Sequence, residues 1–336
     1  MGDGATGILK PMPLKVGILT CAHMHVHGYV HGLRNHPDAE LVAIWDDEIE
    51  RGQSFANEVN LPFVNDIQAL LTAVDAVVIT SENVRHAELV EFAAAKGKHI
   101  LCEKPLGASE DHLKRIDKAV SEAGVTLMTA FPCRFSPGYQ RLKQRVDSGE
   151  IGNVLAVSAT NRGRCPFSWF VETDKSGGGA MIDHVVHVTD LLRDLLGQEP
   201  IRVQAQTGNN VYQQTWEDTA MVTIEFANGI FASLDSSWSR PQNFKTWGDV
   251  TMTVVGQNGV IELDMFGQAV ETYRKEAGYG ASGYGSDLDA LLVGEFVSAC
   301  LEKRAPKVTG FDGAQAARVA IAGYESVRIG QPVAIA

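Results

Sequence analysis

Lys15-Val16-Gly17-Ile18-Leu19-Thr20-Cys21-Ala22-His23-Met24-His25-Val26 decides the fold. Lys15 to Leu19 is a short apolar, β-branched run and reads as a strand. Val26 to Asn35 carries the apolar spacing of a helix. A strand that turns directly into a helix opens a dinucleotide-binding βαβ unit, and the turn between them is where a pyrophosphate sits. Three glycines usually occupy that turn, for tightness, close backbone approach and close helix packing. Here the register Thr20-x-Ala22-x-x-His25 has none of them. Context supports the reading instead. Glu40 to Trp45 is a second strand, and Asp46 ends it about 20 residues beyond the turn, where an acidic residue accepts ribose hydroxyls and repels a 2′-phosphate. That predicts NAD rather than NADP, with Arg51 near enough to soften the preference. The competing account makes Asp46-Asp47-Glu48 a solvated turn that caps the next helix.

Beyond this unit the alternation continues. Ala76 to Thr80, His99 to Cys102 and Thr126 to Ala130 read as strands. Arg51 to Val59, Arg85 to Lys96 and Ser109 to Ala123 read as helices. Strands separated by helices of this length predict a doubly wound parallel sheet, a Rossmann domain over residues 14–131. Residues 1–13 read as a disordered lead-in. From residue 132 to 336 the texture changes: after a helix at Pro137 to Ser148, period-2 runs follow one another through turns. Asn228-Gly229 and Asn258-Gly259 are hairpin signals. An α+β domain with a large mixed, mainly antiparallel sheet is expected there. Its helices are Ala180 to Leu196, Leu288 to Glu302 and Gly313 to Arg328, and Gly278 to Gly285 reads as a Gly/Tyr-rich loop.

The net charge of −12 argues against nucleic acid, which selects a concentrated basic surface. No apolar run reaches the ~18 residues a membrane helix needs. Five scattered cysteines, with no C-x-x-C pair, read as reduced thiols of a cytoplasmic protein.

Three constellations carry chemistry. Glu103-Lys104-Pro105 follows the strand His99 to Cys102, so Lys104 projects into the crevice at the carboxyl end of a parallel sheet. Buried beside a nicotinamide, its amine, with a lowered pKa, could donate to a substrate oxygen. Gly177-Gly178-Gly179 precedes a helix on which Asp183 and His187 share a face, a carboxylate–imidazole pair suited to proton transfer. Five histidines lie between positions 23 and 36, and His23, His27 and His31 share one face if the helix starts early. We expect His23 and His25 to serve the cofactor or substrate pocket, by bonding phosphate oxygens or walling its nicotinamide side, and to bind no metal.

Taken together, Lys98-His99-Ile100-Leu101-Cys102-Glu103-Lys104-Pro105-Leu106 and Gly177-Gly178-Gly179-Ala180-Met181-Ile182-Asp183, with His187 and Asp190, resemble the Gfo/Idh/MocA oxidoreductases. Ser81-x-Asn83-x-x-His86 and Ser148-Gly149-Glu150-Ile151-Gly152 match two further family segments, and the resemblance spans about residues 14–333. It implies NAD-dependent chemistry at a hydroxyl or keto group of a sugar, cyclitol or related polyol. Lys104 would lie near the nicotinamide, Asp183 beside the substrate, and His187 would be the general acid/base. Thr20, Ala22, His23, His25, Asp46, Ser81, Asn83, His86, Glu103 and Lys104 would line the cofactor. Arg134, Arg162, Arg164, Trp169 and His184 fall after the domain junction or near the Asp183 helix, and would offer polar donors and an aromatic face to a hydroxylated ring. The resemblance also implies a homodimer or homotetramer formed through the exposed face of the second sheet. Two departures stand out besides the lost glycines: Glu82 replaces a usual proline, and Val185 a usual glycine. Non-catalytic ligand-sensing regulators and NAD-using glycosidases share the pattern and are the alternatives.

Overall fold

The computed structural model describes residues 12–276, 278–283 and 285–335. Nearly all of the lead-in, residues 1–11, lies outside them. Strands β1 (Leu14–Leu19), β2 (Ala39–Trp45), β3 (Ala76–Ile79), β4 (His99–Cys102) and β5 (Leu127–Thr129) form one parallel sheet in the order β2-β1-β3-β4-β5. Its middle strand β3 is apolar throughout because both faces are covered, and all four of its residues are buried. The covering helices include α1 (Val26–Asn35), α2 (Ile49–Glu58), α3 (Ile67–Ala73), α4 (His86–Ala95) and α5 (Glu110–Ala123). The ends of α5 follow local rules: Ser109 caps the His112 amide, and Gly124 closes the helix in the left-handed conformation at φ 63°. Sequence reading missed α3, which Asp66 caps.

After α6 (Pro137–Asp147) comes β6 (Val154–Arg162), and then the short α7 (Thr173–Ser176) and the long α8 (Ala180–Leu196). Strands β7 (Pro200–Gly208), β8 (Thr219–Phe226), β9 (Phe231–Ser237), β10 (Thr251–Gly256) and β11 (Gly259–Asp264) complete the large sheet with the terminal β14 (Val333–Ala334). Its order is β11-β10-β6-β9-β8-β7-β14, and among these pairs only β6 and β9 run parallel. One face buries Val157, Ala159, Val222, Ile224 and Leu234, while Met221, Phe231 and Val260 are exposed on the other. The Gly/Tyr-rich segment is not a loop. Gly278–Gly283 is strand β13, paired antiparallel with β12 (Ala269–Arg274). Its glycines carry no period-2 signal, so only the partner strand reveals it.

Two helices, α9 (Leu288–Glu302) and α10 (Gly310–Ile329), return from the second sheet to the first. Gly32 of α1 packs against Ala290 and Val293, and a Cβ there would lie 3.3 Å from each. Helix α10 covers the inner face of β7 and also touches α5 and β5. Among the described residues no helix is long and apolar enough to cross a membrane.

Candidate active site

Helix α8 is buried along almost its whole length, packed against β6, β8 and β9 of the large sheet and against α10. Its start requires glycine: a Cβ on Gly179 would meet the Glu217 carbonyl oxygen at 2.2 Å, and one on Gly178 the Tyr324 hydroxyl at 1.9 Å. This close approach seats Asp183 in the first turn, opposite the end of β4. Lys104, 3% exposed, donates from Nζ to Asp183 Oδ1 at 2.5 Å and to the Asp183 carbonyl at 3.3 Å. Asp183 Oδ2 accepts from Trp238 Nε1 at 3.0 Å and lies 3.2 Å from His184 Nε2. Burial alone would raise this carboxyl, but the Lys104 ammonium and the His184 imidazole hold it well below the usual range. The partner of Asp183 is therefore Lys104, and not the helical neighbour His187.

The His187 side chain has no hydrogen bond or ion pair among the described residues. Its ring makes an edge contact with Phe131, centroids 5.9 Å apart, and Nδ1 is buried without a partner. Burial, with the Lys104 charge, pushes the imidazole well below its usual range, so it is neutral and can accept a proton. Lys104, Asp183, His184 and His187 line one cavity of about 200 Å³, together with His23, His25 and Asn161. Four buried atoms on this wall have no partner among the described residues: His23 Nε2, Asn161 Oδ1, His184 Nδ1 and His187 Nδ1. Buried polar groups are nearly always bonded, so four orphans around one cavity are positions that a ligand or a water can bond. Sequence reading missed Asn161, though its signal was present. It follows Val157 and Ala159 on the inward period of β6, where a polar residue is out of place.

The turn after β1 departs from a phosphate loop. Thr20 adopts φ 67°, the left-handed conformation that the usual glycine would take without strain. Helix α1 begins only at Val26, so His23 lies in the turn, while His27 and His31 lie on the helix surface near Glu58 and Asn35. His23 is 1% exposed; its Nδ1 accepts the His25 amide at 3.2 Å, which leaves the hydrogen on Nε2. Burial pushes its imidazole down to about 3. His25 Nδ1 sits 2.9 Å from Glu103 Oε1, which also accepts the Tyr29 hydroxyl, while Glu103 Oε2 accepts the Lys104 amide at 2.9 Å. His23, His25 and Glu103 come close enough to hold an ion, but these bonds already engage both carboxylate oxygens.

The cofactor positions divide. Within the turn, the amides of Thr20, Cys21, His23 and His25 have intramolecular acceptors, whereas Ala22 and Met24 have none among the described contacts and are available to a pyrophosphate. Asp46 accepts four intramolecular donors and is not free for a ribose. His86 is held between the carbonyls of Pro105 and Ser81, and Asn83 donates to Ser176 at 2.8 Å. Both are buried supports of the crevice floor. Ser81 bonds the neighbouring Glu82 carbonyl.

Four of the five expected substrate residues lie off the cavity wall, and only His184 lines it. Arg134 is buried in an ion-pair cluster with Asp190 and Asp194. Arg162 pairs with Asp249 at 3.0 Å. Arg164 donates to the Phe244 carbonyl. Trp169 stacks on Phe170 and donates to the Ala22 carbonyl at 3.0 Å, holding the cofactor turn from the second sheet's side. Each already has a protein partner. Phe170 and Trp247 supply the aromatic walls instead.

Residues 14–131 match the oxidoreductase family with an NAD-binding Rossmann fold, and residues 139–262 match the GFO/IDH/MocA C-terminal domain. The chain is 29% identical to the scyllo-inositol 2-dehydrogenase (NAD(+)) of Bacillus subtilis over 330 residues, 91% of this chain and 92% of that one. It is 30% identical to the inositol 2-dehydrogenase of Rhizobium meliloti over 261 residues, 75% of this chain and 76% of that one. Among solved structures, GenD2 from gentamicin A biosynthesis in complex with NAD superposes with a TM-score of 0.89 at 25% identity, covering 97% of both chains.

Proposed function

This chain belongs to the Gfo/Idh/MocA family of NAD-binding oxidoreductases, and from that membership we propose that it oxidises or reduces one hydroxyl or keto position of a cyclitol, sugar or related polyol. The observation that carries the reading is the Lys104–Asp183 pair in a cavity ringed by four unpartnered buried polar atoms. His23 Nε2 is a donor, and Asn161 Oδ1 is an acceptor because its amide nitrogen is spent on the Asp249 carbonyl at 3.0 Å. His184 Nδ1 is an acceptor if Nε2 carries the hydrogen toward Asp183. A donor and acceptors on the wall of one cavity suit a ring with several hydroxyls.

When bound, NAD supplies the hydride acceptor at its nicotinamide. The protein's own groups do the rest. Neutral His187 takes the hydroxyl proton as the substrate carbon loses its hydride, so the C–O single bond becomes a carbonyl. Lys104 donates to that oxygen and stabilises its developing charge, and Asp183 fixes the ammonium in place. In reduction the proton runs back from His187 to the oxygen. His25 and Glu103 form a hydrogen-bonded wall and need no metal. Incubating the untagged protein with NAD and a panel of cyclitols and sugars, with and without a chelator, should raise the reduced-nicotinamide absorbance equally in both series. Turnover confined to simple aliphatic alcohols or amino acids rejects the substrate class, and turnover lost to chelator and restored by metal rejects the metal-free wall.

The open face of the large sheet, with Met221, Phe231 and Val260 exposed, supports assembly into a homodimer or homotetramer. Light scattering at micromolar concentration should find such a species; a monomer alone would contradict it.

A further inference from the structure

Asp46 occupies the position that conventionally receives the adenosine ribose, yet its carboxylate is saturated. Oδ2 accepts the Cys21 amide at 2.7 Å and Arg51 Nε at 2.9 Å. Oδ1 accepts the Glu48 amide at 2.8 Å and Arg51 Nη2 at 2.7 Å. A carboxylate has about four acceptor sites, so none remains for a ligand. The residue is also only 2% exposed.

The unspent acceptor is nearby. Arg51 extends from Asp46 to Glu82, with Nη1 3.4 Å from Oε1. Glu82 is 7% exposed, and its Oε2 is buried with no partner among the described residues. It follows β3, while Asp46 follows β2, and these strands lie on either side of β1. The two acids thus flank the crevice above the turn where the dinucleotide enters. An orphaned carboxylate oxygen in such a place is costly until a donor reaches it.

We infer that Glu82, rather than Asp46, receives the 2′-hydroxyl of the adenosine ribose and excludes a 2′-phosphate, while Arg51 keeps Asp46 engaged as a structural anchor. A ribose hydroxyl supplies the missing O–H donor. A phosphate there would meet the unpartnered Glu82 carboxylate oxygen, whereas the Asp46 charge is already compensated by the two-pronged Arg51 contact. The inference rests on the NAD reading of the site and names the residue responsible for it.

The test is a fluorescence titration of the full chain with NADH, NADPH and the NADH analogue lacking the adenosine 2′-hydroxyl. Wild type should bind NADH best. Glu82→Gln should shrink the NADH-over-NADPH preference by about tenfold or more, as expected for losing a charged acceptor. Asp46→Asn should leave that preference within about twofold, although its melting temperature falls. The deoxy analogue should bind wild type about tenfold more weakly than NADH, and this gap should close in Glu82→Gln, a result independent of whether Asp46→Asn folds. An unchanged preference and an unchanged gap in Glu82→Gln, or a preference lost in Asp46→Asn, overturns the assignment. Failure of wild type to bind either dinucleotide would overturn the NAD reading as well, which separates the two.

Discussion

Lys104→Met should lower kcat by about 10²- to 10⁴-fold, the range expected for removing a group that acts on the transferring proton or the charge beside it. The substitution nearly keeps the length of the side chain but removes the ammonium bonded to Asp183. Asp183 keeps its bond from Trp238 at 3.0 Å, so the variant should fold while melting earlier. His187→Ala separates chemistry from stability more cleanly, because this imidazole belongs to no ion pair among the described residues and contacts Phe131 by its edge. It should lose turnover to a similar degree with a smaller change in melting temperature. Both variants should still bind NADH, since neither residue bonds the cofactor turn. Near-normal kcat at saturating substrate in either one would remove that residue from the proposed mechanism, and circular dichroism would confirm that the comparison is between folded proteins.

Arg134→Ala should behave in the opposite way, costing stability rather than chemistry. Arg134 makes a two-pronged contact with Asp190, at 2.9 and 2.5 Å, and bonds Asp194 at 2.9 Å. Asp190 is fully buried. Truncating the arginine strands that charge, and breaking a buried pair in this way costs about 3–5 kcal/mol. The deficit should depend on pH. Burial pushes the Asp190 carboxyl up, and despite the opposing Arg134 charge it reaches about 6 from an ordinary 3.8. A raised acid binds its proton more tightly when folded, so it draws stability down as pH rises from 3.8 toward 6. Without Arg134 the carboxyl rises further and the loss extends to higher pH. The deficit should therefore be largest at and above neutrality, shrink on acidification toward about 6, and change little between 6 and 3.8, where both proteins lose stability alike as pH rises. Denaturant melts of both proteins across the range test this; a deficit flat with pH, or a variant as stable as wild type but with a raised KM, would return Arg134 to the substrate pocket.

The periodic parts of the sequence were legible because they encode local geometry. Val26–Asn35, His99–Cys102, Thr219–Phe226 and Leu288–Glu302 carry their apolar spacing within themselves, and the structure has those elements at those residues. The same locality exposed the alternation of strand and helix, hence the parallel sheet, and the shift to period-2 runs, hence the mixed one. It also placed Lys104 at a strand end and Asp183 and His187 one helical turn apart. Sequence spacing could not say which group each polar side chain would meet. Asp183 pairs with Lys104 across 79 residues rather than with His187. Arg134 finds Asp190 across 56, and the Asp46 carboxylate is filled partly by the Cys21 amide 25 residues away. A carboxylate or guanidinium is satisfied by whichever donor or acceptor the packing delivers within about 3 Å, and that distance exists only once the chain has packed. Residue type and period thus determined the fold and the cast of reactive groups, while tertiary packing alone decided which of them remain unspent for a ligand.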